Sequence, residues 1–139
     1  RFSVRYFEAL INAHLGRRPG ICKLDKHCGS YLVVEHNGDV YPCDFYVEEK
    51  RKLGNLRDRP LEEIAGGQKF EKFARGKTDT PEECNNCEFF IYCRGGCQRY
   101  RGLPDGPDRR TYLCKAYRSF LTRNHAGIKD VAKKAIQKT

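Results

Sequence analysis

The sequence predicts a small, irregular α+β domain with a β-hairpin, several short helices and a helix at its C-terminal end. Three observations carry that reading. Eight cysteines crowd into the span from Cys22 to Cys114 of a 139-residue chain. An Asn37-Gly38 turn signal lies between two β-rich runs. Helical periodicity is confined to the two ends and to brief stretches near Pro60 and Phe70.

The first helix begins near Ser3. Phe7, Leu10, Ile11, His14 and Leu15 recur at helical spacing, and Gly16 with Pro19-Gly20 stops them. His14 sits on that apolar stripe and reads as a packed residue rather than a ligand. The hairpin follows: Tyr31–Glu35 runs out, His36-Asn37-Gly38-Asp39 turns, and Val40-Tyr41-Pro42 returns. A two-residue Asn37-Gly38 loop sets Leu32 opposite Cys43, and Gly29-Ser30 permits a bend that brings Cys28 toward Cys43. Pro60 suits the first turn of a short helix through Leu61 and Ile64. Gly66-Gly67 separates it from Phe70–Arg75, which Gly76 ends. Residues 77–111 read as irregular, with Gly95-Gly96 allowing a tight wrap between Cys93 and Cys97. Thr111 is placed to cap a helix carrying Leu113, Cys114, Tyr117, Phe120 and Leu121, and Ile128–Ile136 forms a last basic amphipathic segment.

Composition sets the limits. A chain of 139 residues makes one domain, and its apolar share falls slightly below the usual one. Metal ligation is therefore expected to supply part of the folding free energy. The chain starts at Arg1 and contains no methionine, which reads as a piece of a longer polypeptide. No apolar run approaches a membrane span and no signal-peptide pattern opens the chain. The formal net charge is +9. Basic residues are scattered, without the aromatic interleaving of an RNA-binding surface, so no nucleic-acid partner is expected. Two cubane clusters of about −2 each would lower the total charge to about +5.

Cysteine spacing points to the chemistry. Cys84, Cys87, Cys93 and Cys97 read C-x2-C-x5-C-x3-C, with Cys22, Cys28 and Cys43 upstream and Cys114 downstream. Eight is two sets of four, and four thiolates suit one cubane cluster or one structural zinc. Disulfides fit less well. The density is below that of short disulfide scaffolds, and close pairs close only short loops. Zinc prefers two C-x2-4-C knuckles, and only one C-x2-C occurs. The compact run is nearer the bacterial ferredoxin pattern, whose fourth cysteine ligates the other cluster. That comparison favours an iron–sulfur domain in which Cys97 joins the upstream set, and it leaves zinc as the alternative.

These residues spell a resemblance. Cys28-x9-Gly38-x4-Cys43, then C-x2-C-x5-C-x3-C, then Cys114, resembles the seven-cysteine SPASM signature C-terminal to radical S-adenosylmethionine cores. The text Gly38-Asp39-Val40-Tyr41-Pro42-Cys43-Asp44-Phe45-Tyr46, with Lys52-Leu53-Gly54-Asn55-Leu56, resembles the C-terminal part of anaerobic sulfatase-maturating enzymes. The resemblance implies residues 1–20 as a helix and linker from a missing radical core. It implies 21–121 as the two-cluster domain and 122–139 as a basic helical extension. It implies one 4Fe–4S cluster on Cys22, Cys28, Cys43 and Cys97, and a second on Cys84, Cys87, Cys93 and Cys114.

The implied activity belongs to the whole enzyme: a cysteine or serine of a sulfatase becomes Cα-formylglycine, the clusters removing an electron. Partners would be the sulfatase polypeptide or another peptide substrate and the chain's own radical core, in the cytoplasm. S-adenosylmethionine and a third cluster belong to that core, since C-x3-C-x2-C is absent here: Cys93 and Cys97 have the first spacing, but Tyr100 stands third. The chain alone is thus expected to be inactive. The aspartate after the third ligand, Asp44, is implied as the base that deprotonates the target side chain. A carboxylate partly desolvated beside an anionic cluster is expected to have a raised pKa. Two alternatives stand beside this reading. One is the SPASM domain of another peptide-modifying radical enzyme, such as a thioether-forming one. The other is a structural zinc module that recruits a partner.

Overall fold

The computed structural model describes residues 2–102 and 109–137. Helix α1 spans Arg5–His14, close to its expected start. Its end has a defined chemistry: Gly16 takes φ +69°, the Gly16 N–H donates to the Ala13 carbonyl, and the Arg17 N–H donates to that of Asn12. This left-handed glycine closure satisfies carbonyls that the helix end leaves open. Downstream lie strands β1 (Val33–Val34), β2 (Asp39–Tyr41) and β3 (Gly54–Asn55). Helices α2 (Leu61–Ala65), α3 (Gln68–Arg75), α4 (Glu82–Asn85), α5 (Phe90–Cys93) and α6 (Cys114–Ile136) follow. The expected small α+β architecture with a hairpin, short helices and a C-terminal helix is what the chain adopts.

The chain divides into two units, one built from the sequence up to Lys26 and from Thr80 onward, the other from His27–Asp79. In the His27–Asp79 unit the strands pair antiparallel in the order β1-β2-β3. Val33 faces Tyr41, Val34 faces Val40, and Val40 also faces Gly54. That register differs by one residue from expectation. The loop has three residues, His36-Asn37-Gly38, closed by Glu35 N–H to Asp39 O and Gly38 N–H to Glu35 O, each 2.9 Å. Gly38 sits at φ +88°, and a Cβ there would meet Asn55 Oδ1 at 3.0 Å. The turn is therefore a tight turn with a left-handed glycine, a common three-residue hairpin form. Continuing the register sets Leu32 across from Pro42, and Tyr31, not Leu32, across from Cys43.

Val40, Leu53 and Ile64 form the core of this unit, with Leu32 and Phe70 packed against them. Tyr46 and Phe73 meet edge-on at 5.1 Å between ring centroids. Asp39 is buried beneath the turn and accepts from Lys52 Nζ at 2.5 Å, Asn55 Nδ2 at 2.8 Å and Asn37 Nδ2 at 2.9 Å. Those donors, Lys52 foremost, hold its carboxyl below the usual range.

The other unit is helical. Ala9, Leu10, Leu24, Phe89, Tyr92, Leu121 and Ile128 form its core. Leu121, Ile128 and Ala132 recur on one face of α6, where α1 packs. Burying each large aliphatic side chain there contributes about 1.5–3 kcal/mol. Tyr92 is fully buried, and its hydroxyl lies 2.9 Å from His14 Nδ1 and 2.8 Å from His125 Nε2. One hydroxyl thus donates to one ring and accepts from the other. Burial, with Lys129 and His14 adding to it, pushes the His125 pKa down. His14 is a half-buried, hydrogen-bonded residue of the packing, as its stripe position implied.

Two expectations change here. The interval 77–111 is not irregular throughout: α4, α5 and 3₁₀ turns at Gly76–Thr78 and Gln98–Tyr100 occupy much of it, while 103–108 lie outside the described residues. The two C-terminal segments are one helix, α6, which runs through Gly127. Thr111 stands two residues ahead of the N-cap Leu113, its Oγ1 accepting the Leu113 N–H at 3.4 Å.

Candidate metal centre

Two short helices, the turn between them and the start of α6 deliver thiols to one pocket. Pro81 leads α4, and the Cys84 N–H donates to the Pro81 carbonyl. The next turn carries the Cys87 N–H to Cys84 O at 3.1 Å. Cys93 ends α5, and Cys114 opens α6 with its N–H on Thr111 O. Cys84, Cys87, Cys93 and Cys114 line a single cavity of about 50 Å³, walled also by Phe89 and Tyr117. A single water needs only roughly 10–15 Å³ by this measure, so the space suits a larger group. No disulfide joins the eight cysteines, all of which are among the described residues. Among the described residues no three His, Cys, Asp or Glu side chains converge as they do on one ion.

The electrostatics of this pocket favour a bound cationic centre. Burial raises the Cys84 pKa, and Cys93 and Cys114 raise it further, while Arg101 and Arg110 oppose them. Thiols packed this closely repel once ionised, unless a metal takes up their charge. Tyr117 adds a second sign. Its hydroxyl is a buried side-chain polar atom with no hydrogen-bond partner among the described residues. An unmet buried hydroxyl costs about 1–3 kcal/mol. Burial, then the charges of Tyr6, Cys93, Tyr100 and Cys97, push the Tyr117 pKa up. Four soft donors, room for more than one ion and an orphaned hydroxyl together fit an iron–sulfur cluster.

The loop joining Cys93 to Cys97 is wound left-handed at three consecutive residues, Arg94 at φ 47°, Gly95 at 71° and Gly96 at 68°. Arg101 clamps it: Nε donates to Gly95 O at 2.9 Å, and one terminal nitrogen donates to Arg94 O at 3.1 Å and Gly96 O at 3.4 Å. Gly95 suits its left-handed φ of +71°, where a side chain would be strained, and a Cβ there would also stand 2.7 Å from that guanidinium. Cys97 follows the loop and is not among the residues lining the pocket. Cys22 lies in the same helical unit, at the start of the 3₁₀ turn Cys22–Leu24, and is exposed. Cys28 and Cys43 lie in the His27–Asp79 unit, both half-buried.

Around half-buried Cys43 the corrected register brings together exposed Tyr31 and Asp44. Tyr31 Oη donates to Asp44 Oδ1 at 2.5 Å and lies 3.4 Å from Cys43 Sγ. The Cys43 thiol in turn donates to Asp44 Oδ1 at 3.2 Å. Tyr31 and then the Cys43 thiol hold the Asp44 carboxyl below the usual range. The reason is physical: Asp44 is exposed and well supplied with donors, so its ionised form is favoured. Burial pushes the Cys43 thiol up. Sequence reasoning missed Tyr31, whose signal was the length of the hairpin loop.

Comparison with known proteins decides the family. The model of SPASM, an iron–sulfur cluster-binding domain, matches residues 22–88. Residues 22–88 belong to the SPASM family. The chain is 37% identical over 122 residues to a cysteine-type anaerobic sulfatase-maturating enzyme of Clostridium perfringens (strain 13 / Type A), covering 87% of this chain and 33% of that protein. A serine-type enzyme of Bacteroides thetaiotaomicron is 34% identical over 139 residues, covering 98% of this chain and 33% of the relative. A solved structure, native anSMEcpe with bound AdoMet and the Cp18Cys peptide, superposes with a TM-score of 0.86 at 35% identity. That match covers 97% of this chain and 38% of the other. The chain thus spans about a third of the length of the curated relatives it matches.

Proposed function

We propose that this chain is the auxiliary-cluster domain of a radical S-adenosylmethionine oxidoreductase that converts a cysteine or serine of a sulfatase to Cα-formylglycine. The observation that carries the reading is the single pocket lined by Cys84, Cys87, Cys93 and Cys114. These four would hold one 4Fe–4S cluster, and Cys22, Cys28, Cys43 and Cys97 the other. Bound there, the clusters supply a one-electron acceptor. Over the reaction the target side chain loses a hydrogen atom to a 5′-deoxyadenosyl radical, a proton from its thiol or hydroxyl, and one electron. A serine then stands as the aldehyde, and a cysteine as a thioaldehyde whose sulfur exchanges with water.

Asp44 receives that proton in our reading. An ionised carboxylate can accept it at neutral pH, and the Tyr31 hydroxyl fixes that carboxylate beside Cys43. The radical core, S-adenosylmethionine and a third cluster belong to the complete enzyme, because the C-x3-C-x2-C motif is absent here. The chain alone is inactive on this account. Its partners are that core and a sulfatase polypeptide. Cysteines that serve as metal ligands suit the reducing cytoplasm, where we place the enzyme. Among the described residues no helix is long and apolar enough to cross a membrane.

The complete enzyme, given S-adenosylmethionine, a reductant and a sulfatase-derived peptide, should yield an aldehyde at the target cysteine or serine, read by mass spectrometry and hydrazide labelling. A thioether crosslink in place of the aldehyde would assign the domain to a different peptide-modifying enzyme.

A further inference from the structure

The orphaned hydroxyl of Tyr117 is a built feature of the cysteine pocket that the reading above leaves unused. Buried polar atoms almost always find a partner, and a lone exception marks a missing one. Tyr117 lines the pocket that Cys84, Cys87, Cys93 and Cys114 also line. It lies three residues after Cys114 on α6, hence on the same face of that helix. Among the described residues Tyr117 Oη is the buried side-chain polar atom left without a partner.

We propose that Tyr117 donates a hydrogen bond from its hydroxyl to the iron–sulfur cluster held by Cys84, Cys87, Cys93 and Cys114, and so sets that cluster's reduction potential. The acceptor is a cluster sulfide or a ligand thiolate, both of which accept weakly but gain from an anionic charge. Donation to sulfur stabilises the more negative, reduced state, so it raises the potential. Tyr117 is a positioning and tuning residue on this account, since it touches the cluster and not the substrate. The inference rests on the pocket assignment made above, and the test separates the two.

The test uses the complete enzyme, native and Tyr117→Phe, with iron analysis, redox titration by paramagnetic resonance, and electron–nuclear double resonance after exchange into D2O. Phenylalanine keeps the ring, so iron content should match native. The midpoint potential of the pocket cluster should fall while the other clusters keep theirs. One exchangeable-proton coupling at the pocket cluster should be present in native enzyme and absent from the variant. An unchanged potential and coupling in a fully loaded variant overturns the role of Tyr117 and leaves the pocket assignment standing. A change at the cluster dependent on Cys97 instead also overturns it. Loss of iron from Tyr117→Phe would place the hydroxyl in cluster assembly and contradict tuning. The native enzyme supplies an independent check: a pocket cluster with no exchangeable coupling rejects the proposal without any variant. A native enzyme with no cluster dependent on Cys84 overturns the pocket assignment itself, and this inference with it.

Discussion

Asp44→Asn in the complete enzyme should leave every cluster loaded and S-adenosylmethionine cleavage intact, yet cut formylglycine formation by about 100- to 10,000-fold. That range is what general-base assistance typically contributes, and the amide removes the proton acceptor while nearly preserving shape. The Tyr31 hydroxyl, 2.5 Å from Asp44 Oδ1, can donate to the amide oxygen as it does to the carboxylate. The local fold should therefore hold. Hydrogen abstraction precedes the lost step, so deuterium from a β-labelled peptide should still reach 5′-deoxyadenosine. Equal formylglycine rates in native and variant enzyme would remove Asp44 from the chemistry. Iron loss in the variant would make it a turn residue instead.

The second large effect concerns which thiols act together. Cys84→Ala should abolish the paramagnetic signal of one auxiliary cluster, and Cys114→Ala the same one, because both residues line the pocket with Cys87 and Cys93. Cys97→Ala should instead abolish the signal lost in Cys43→Ala. Removing one of four thiolates leaves an iron without its protein ligand, so a whole cluster is at stake in each variant. Should Cys97→Ala and Cys84→Ala erase the same signal, the clusters follow chain order and the interleaved assignment is wrong.

Residues differ in how openly the sequence announced them. Helix α1 was legible because Phe7, Leu10 and Ile11 keep helical spacing and Gly16 can adopt the left-handed closure. Helices α2 and α3 were legible from Pro60 and the Gly66-Gly67 break. The hairpin's existence was clear, but its register was not. Asn-Gly fits both two- and three-residue loops, and what selects between them is distant: Asn55 packs on Gly38 and helps bury Asp39. Strand β3 is a Gly-Asn pair with little β-propensity of its own, held by pairing to β2. Helix α6 runs unbroken through Gly127, which weakens a helix by about 1 kcal/mol, because the burial of Leu121 and Ile128 on either side outweighs that cost.

The candidate site divides in the same way. The pocket thiols stand out as a spacing pattern, which is local information. Tyr31, Arg101 and Tyr117 act through the folded geometry of a hairpin, a loop and a helix face, and the cysteine spacing does not name them. Arg101 looks like one more surface cation in a chain of net charge +9 until its three backbone acceptors are seen.

The central claim is that these eight thiols hold two four-iron clusters, and metal analysis of the anaerobically reconstituted chain tests it most directly. The account predicts about eight iron and eight sulfide per chain, with broad visible charge-transfer absorption that bleaches on reduction. Stoichiometric zinc in a colourless protein would contradict it.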